Sequence, residues 1–223
     1  MSALVLVPGA WHGGWWYDPL VTALREQGRR AHAVTLAGLG PDDDLTVTPV
    51  NLTTHVDQLD ALVDQLTSGG EKVVLVGHSY GGLIVNAVAD RDPRRISALI
   101  HLDSDMVEDG ESQWDVTTDA IRRTFLDGIG DDGFGVAPLP FFDSRARPHP
   151  LATFLQKSRL TGAWREVPVK RFAAALDTPG GPQAPSAMVK VRDDPAWHYE
   201  EWDTTHNVLR DGPDRVLGLL RDL

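Results

Sequence analysis

At 223 residues the chain has the size of one domain, and α/β folds often run to about 250 residues as a single unit. Its 42% hydrophobic and 24% charged residues are ordinary for a globular protein and leave enough apolar material for a core. There is no cysteine, which excludes disulfide scaffolds, thiolate metal sites, iron–sulfur clusters and a cysteine nucleophile. Thirty-two acidic against 21 basic residues give a formal charge of −11. Such a surface repels phosphate backbones and anionic lipid, so neither nucleic acid nor membrane is an expected partner. The first 17 residues carry no Lys or Arg, and the apolar run Ala3–Val7 is too short for a signal-peptide core, so a cytoplasmic location is expected.

Short apolar runs alternate with helical patterns, as in a parallel sheet with crossover helices. The first strand is Ala3–Val7, followed by the glycine-rich loop Pro8-Gly9-Ala10-Trp11-His12-Gly13-Gly14. Asp18 and Pro19 read as the N-cap and first residue of a helix that Gly28 stops. A second strand is expected over 30–36. Leu52, Val56, Leu59, Leu62, Val63 and Leu66 then form the apolar face of a helix, with Asp57, Asp60 and Asp64 pointing outward. The run 72–76 is apolar enough for a strand buried on both faces, and it leads into Gly77-His78-Ser79-Tyr80-Gly81-Gly82 and a helix over 83–89. Strand Ile96–Leu102 ends at Asp103. The 64 residues 104–167 show no strand signal. Strand 169–176 ends at Asp177 and is followed by a Pro- and Gly-rich loop, a short helix over 186–192, a last strand over 197–202, and a last helix, Pro213–Leu220, capped by Asp211. The expected domain division is a core of 1–103 and 168–223 with a helical cap of 104–167.

Gly77-His78-Ser79-Tyr80-Gly81 matches G-x-S-x-G between a buried strand and an apolar helix. A sharp strand-to-helix turn holds such a serine in a strained conformation and lifts its oxygen above the sheet; glycines two before and two after remove side chains that would collide. A serine hydroxyl needs a base to take its proton. In this architecture the base comes after the last strand, where His206 sits; His198, within that strand, is the second choice. His78 should pack beside the turn, and His32, His55, His101 and His149 read as surface or packing residues. The acid that orients the base is expected to be Asp177, at a strand end, with Asp103 and Asp105 as rivals at the preceding strand end; Asp203 stands too close to His206 to turn back onto it. Two backbone N–H groups should stabilise the oxyanion: Tyr80, directly after the nucleophile, and Ala10 in the first loop. That loop lacks both the Walker lysine and G-x-G-x-x-G spacing, which argues against a phosphate cradle.

These residues together resemble the α/β-hydrolase superfamily and, more narrowly, its small methylesterase and hydroxynitrile lyase branch. The resemblance rests on Val5-Leu6-Val7-Pro8-Gly9-Ala10-Trp11-His12-Gly13-Gly14-Trp15, on Val74-Leu75-Val76-Gly77-His78-Ser79-Tyr80-Gly81-Gly82, on Leu102-Asp103, and on Asp177 and His206 late in the chain. It implies a six-stranded, mostly parallel sheet with a small helical cap, no cofactor, and Ser79, Asp177 and His206 as triad with Ala10 and Tyr80 as oxyanion donors. Where this branch usually has His-Gly, the chain has Pro8-Gly9. Lyase members typically carry a threonine in the oxyanion loop and a lysine after the catalytic histidine; Gly9 and Asn207 stand there, which argues against cyanohydrin cleavage.

The expected activity is hydrolysis of a small or medium carboxylic ester through an acyl-enzyme. The alternatives are a lyase or biosynthetic enzyme using His206 as proton shuttle and a non-catalytic ligand receptor on the same fold. Trp11 and Trp164 are the expected substrate-pocket residues, and the partner is a small-molecule ester. A homodimer is neither indicated nor excluded by the sequence.

Overall fold

The computed structural model describes residues 2–178 and 181–223. Strands β1 (Ala3–Val7), β2 (Ala31–Ala33), β3 (Val73–His78), β4 (Ile96–Leu102), β7 (Val169–Ala175) and β8 (His198–Trp202) form one six-stranded sheet in the order β2-β1-β3-β4-β7-β8. Every neighbouring pair in it is parallel. Between β4 and β7 a two-stranded antiparallel ribbon forms from β5 (Gly135–Val136) and β6 (His149–Pro150). No strand was expected there; two residues a side are too few to leave a period-two signature.

The helices are α1 (Asp18–Glu26), α2 (Leu52–Thr67), α3 (Gly81–Arg91), α4 (Gln113–Val116), α5 (Asp119–Asp127), α6 (Leu151–Leu155), α7 (Pro185–Val191), α8 (Val208–Asp211) and α9 (Pro213–Leu220). Two apolar layers sandwich the sheet. Leu52, Val56, Leu59 and Val63 of α2 pack with Leu83, Ile84, Val85 and Val88 of α3 on one face. Leu20, Val21 and Leu24 of α1 pack with Val216, Leu219 and Leu220 of α9 on the other. The two faces explain why β1 and β3 are buried along their whole length and read as unbroken apolar runs.

Several boundaries differ from expectation for identifiable reasons. A 3-10 turn, Gly14–Tyr17, runs directly into α1, so Tyr17 rather than Asp18 is the N-cap. The second strand spans three residues, not 30–36. Gly212 caps α9; Asp211 instead ends α8, and its carboxylate accepts hydrogen bonds from Thr205. Asp57, Asp60 and Asp64 do leave the core, but they pair with Arg91 and Arg95 across the α2–α3 seam. The loop expected after Asp177 includes Pro179 and Gly180, which lie outside the described residues. Among the described residues no helix is long and apolar enough to cross a membrane.

The sheet order reverses direction between β1 and β3: the chain passes from β1 out to β2, then returns to place β3 on the other side. In open parallel sheets the crevice outside such a switch point is where ligands bind. Here it lies between the loop after β1 and the turn after β3.

Candidate active site

β3 delivers Ser79 into a turn that α3 leaves. Ser79 has φ 50°, and the only other non-glycine residues with positive φ among those described are Trp11 (67°) and Asp103 (42°). All three follow the C-terminal ends of neighbouring strands. Left-handed backbone costs a non-glycine residue roughly 1–3 kcal/mol and persists where the surroundings enforce it. The enforcement is steric and hydrogen-bonded. A Cβ on Gly81 would stand 2.4 Å from the Val7 carbonyl oxygen, and one on Gly77 would stand 2.7 Å from the Gly81 oxygen. The Ser79 amide donates to Leu102 O at 3.3 Å, while its carbonyl accepts from Gly82 at 3.0 Å and Asp105 at 3.3 Å.

His206 lies in the loop between β8 and α8, with its side chain 30% exposed. Its Nδ1 is 2.6 Å from Oδ2 of Asp103, which is fully buried. A carboxylate accepts, so Nδ1 carries a proton, and in the neutral ring Nε2 is then the bare nitrogen. The other Asp103 oxygen accepts from the Ala175 amide at 3.1 Å, and the Asp103 amide donates to Ala173 O at 2.7 Å. Asp103 thus continues the β4–β7 ladder and turns its carboxylate onto it.

Asp177, the expected acid, is not joined to His206. After β7 the chain keeps pairing with β8: Leu176 donates to Trp202 O at 2.9 Å and Asp177 to Thr204 O at 3.0 Å. That extension carries Asp177 to an exposed position. The carboxylate on His206 is therefore that of Asp103, the rival at the neighbouring strand end.

His206 is held from its other side by His78. Nε2–H of His78 donates to the His206 carbonyl at 2.8 Å, with the two rings 4.6 Å apart. Trp16 stacks on the far face of His78 at 4.4 Å. Burial pushes the His78 pKa well down, and the adjacent His206 adds to this, so His78 stays neutral. The expectation that His78 packs beside the turn understated its link to the base. No hydrogen bond joins the Ser79 hydroxyl to His206 among the described residues; in unliganded sites that bond is often long and tightens with substrate.

Asp105 is a second buried carboxylate close by. Gln113 donates to one of its oxygens, and the other has no partner among the described residues. Burial raises its pKa to about 6, against the lowering effect of Gln113 and His206. Sequence reasoning ranked it only as a rival acid.

The amides of Ala10 and Tyr80 make no hydrogen bond within the chain among the described residues, whereas the neighbouring Trp11 amide is engaged by His149 Nδ1 at 3.2 Å. The Tyr80 hydroxyl donates to His55 Nδ1 at 2.9 Å, and His55 Nε2 donates to Ala37 O at 2.8 Å. Of the two expected pocket tryptophans, Trp11 is buried among Phe125, Phe142 and Phe154, with Nε1 donating to Val136 O at 2.8 Å. Trp164 belongs elsewhere. Its amide donates to Asp90 in the last turn of α3. That is eleven residues beyond Ser79, or roughly 16 Å at the rise of a helix. Its ring packs toward Trp197 in the core, which argues against its lining a pocket at Ser79.

Residues 4–220 match the family described as Alpha/beta hydrolase family, and the chain belongs to it. Among its relatives is a carbendazim hydrolyzing esterase of Nocardioides sp. (strain SG-4G), 30% identical, with 97% of each chain covered. Methylesterase 18 of Arabidopsis thaliana is 30% identical over 85% of this chain and 78% of its own. In structure the chain is similar to an extracellular alpha/beta-hydrolase from a Paenibacillus species described as homologous to tobacco salicylic acid binding protein 2. That match has a TM-score of 0.78 at 20% identity, with 99% of this chain and 98% of the other covered.

Proposed function

We propose that the protein is a carboxylic ester hydrolase that works through Ser79, His206 and Asp103 on small or medium esters. The observation that carries this reading is the 2.6 Å bond from His206 to buried Asp103, beside a serine held in a left-handed turn. Membership of a hydrolase family and full-length likeness to an esterase support it.

His206 Nε2 takes the Ser79 proton as Oγ attacks the ester carbonyl. The Asp103 carboxylate holds the Nδ1 tautomer and stabilises the imidazolium that forms. The carbonyl electrons move onto oxygen, where the free amides of Ala10 and Tyr80 contribute about 3 kcal/mol each to the transition state. The tetrahedral intermediate collapses, the C–O bond breaks, and the alcohol leaves with the proton from His206. Water, deprotonated by the same base, then hydrolyses the acyl-Ser79. None of these steps calls on a cofactor. In this reading residues 104–167 act as the cap over the crevice. Asn207, the position of the lyase lysine, caps α8 by accepting the Arg210 amide at 3.2 Å. It carries no charge to hold a cyanide leaving group.

Ser79→Ala should lower kcat on a 4-nitrophenyl ester by at least about 10⁴-fold while leaving the circular dichroism spectrum unchanged. Wild-type turnover in that variant would overturn the assignment.

A further inference from the structure

We infer that His149 is a positioning residue for the oxyanion loop: its Nδ1 fixes the Trp11 amide, so that the Ala10 amide is left to face the substrate oxygen. The inference rests on the ester-hydrolase reading above and extends it to a residue of the segment between β4 and β7.

Three contacts converge on Trp11 from that segment. His149 Nδ1 accepts the Trp11 amide at 3.2 Å, Val136 O accepts its Nε1–H at 2.8 Å, and the Arg147 amide donates to its carbonyl at 3.0 Å. Val136 and His149 are directly paired across the β5–β6 ribbon, so one small structural unit presents both acceptors. The residue they grip has φ 67° and immediately follows Ala10. On the other side of that peptide, His12 Nδ1 donates to the Ala10 carbonyl at 2.7 Å. Two imidazoles thus fix the Ala10–Trp11 peptide plane, and the peptide that carries the Ala10 amide is tied separately, its Gly9 carbonyl accepting from the His12 amide at 3.4 Å. The same His149 ring packs edge-on against Tyr80 at 4.7 Å and stacks on Phe154 at 4.4 Å. It therefore touches the residues carrying or adjoining both proposed oxyanion donors.

Chemistry indicates why this is a histidine. Trp11 N–H is a donor, so His149 must be bare at Nδ1 and protonated at Nε2. That Nε2 is buried with no partner among the described residues, in a residue with no exposed surface. An unpaired buried N–H is unfavourable for stability. A phenylalanine would fill the same space beside Phe154 and Tyr80 without it. What phenylalanine cannot supply is the acceptor for the Trp11 amide. His149 is also buried against His55, and its pKa is pushed well down mainly by burial, which keeps the acceptor lone pair free.

Two variants test the inference, read by steady-state kinetics on a 4-nitrophenyl ester and by thermal melting. His149→Phe should lower kcat about 10²-fold, the size of effect seen when one oxyanion donor is lost, with KM changed less than about threefold and Tm little changed, since the unpaired Nε2–H is exchanged for an unaccepted Trp11 amide. His149→Asn, whose Oδ1 can stand in for Nδ1, should keep kcat within about fivefold of wild type. Inhibition by a trifluoromethyl ketone, which forms a tetrahedral adduct with the serine, should weaken in parallel with kcat/KM in the Phe variant and not in the Asn variant. Wild-type kcat in His149→Phe, or an equal loss in a folded His149→Asn, would overturn the inference and leave the ester-hydrolase reading intact. Retained turnover in Ser79→Ala would overturn both.

Discussion

Trp11, Ser79 and Asp103 share an unfavourable backbone conformation, and each is held in it by a different route. Ser79 is strained by the turn itself, between glycines that admit no Cβ. Asp103 is strained because it leaves β4 while its amide and carboxylate both stay bonded to β7. Trp11 is held by the ribbon that grips it. The proposed acid can be tested against its rival. Asp103→Asn should lower kcat by about 10⁴-fold, because an amide can present the wrong partner to Nδ1–H and cannot stabilise the imidazolium. Asp177→Asn, at an exposed strand extension, should change kcat less than about twofold. The reverse ranking in steady-state kinetics would return the role to Asp177. The turn at Ser79 and the late loop position of His206, the proposed nucleophile and base, were legible in the sequence. The glycine spacing around Ser79 reports a steric requirement, and His206 lies between a strand and a helix late in the chain. Which carboxylate meets His206 was not legible, because Asp103 and Asp177 end adjacent parallel strands, and no local pattern tells which chain end keeps pairing. His149 was hidden for a similar reason: a lone histidine between prolines carries no local sign that its ring meets a loop 138 residues away.

At the level of elements, the long periodic segments were readable, as were the short helix α7 and strand β8, while α8 and the β5–β6 ribbon were not. α2 has an unambiguous apolar stripe, and the structure adds that its acidic stripe faces Arg91 and Arg95. Arg95 is bonded to both Asp60 and Asp64, and Arg91 to Asp57 and Asp60. Such partly exposed pairs contribute little individually, about 0.2–1 kcal/mol, so their effect is to orient α2 against α3 rather than to supply stability. The orientation matters because α3 begins at the elbow. Helix α8, one turn long, and the β5–β6 ribbon escaped the sequence because neither is long enough to show a period. Yet the ribbon holds Trp11, and α8, through Asp211, holds Thr205 beside His206. The short elements are the ones that finish the site, set on a sheet that the long elements define.

The whole molecule carries a pH dependence of stability that follows from its buried histidines. Burial lowers the pKa of His55 to about 4 and of His101 to about 3, and drives those of His78 and His149 well down. For each, the folded value lies below the unfolded value near 6.5. The associated stability is fully present above pH 6.5 and is lost as pH falls toward the folded values. Within that window each contributes up to about 1.4 kcal/mol per pH unit. Asp105 acts with the opposite sign: its folded pKa is raised to about 6, so its buried charge is unfavourable above that pH and is relieved below it. Four histidines outweigh one carboxyl. Tm should therefore fall steeply between pH 7 and pH 5 in scanning calorimetry. Self-repulsion alone would give the opposite trend, since acidification moves the formal charge of −11 toward zero. A Tm that is flat or rising over that range would contradict the histidine account.

Whether Ser79 is a nucleophile activated by His206 is read most directly from intact-protein mass after exposure to a fluorophosphonate. The wild-type chain should carry a single adduct that peptide mapping places on Ser79. Ser79→Ala should take up none, and labelling should be slowed by several orders of magnitude in His206→Ala. A folded wild-type chain that takes up no label, or one labelled equally well without Ser79, would contradict that role for Ser79.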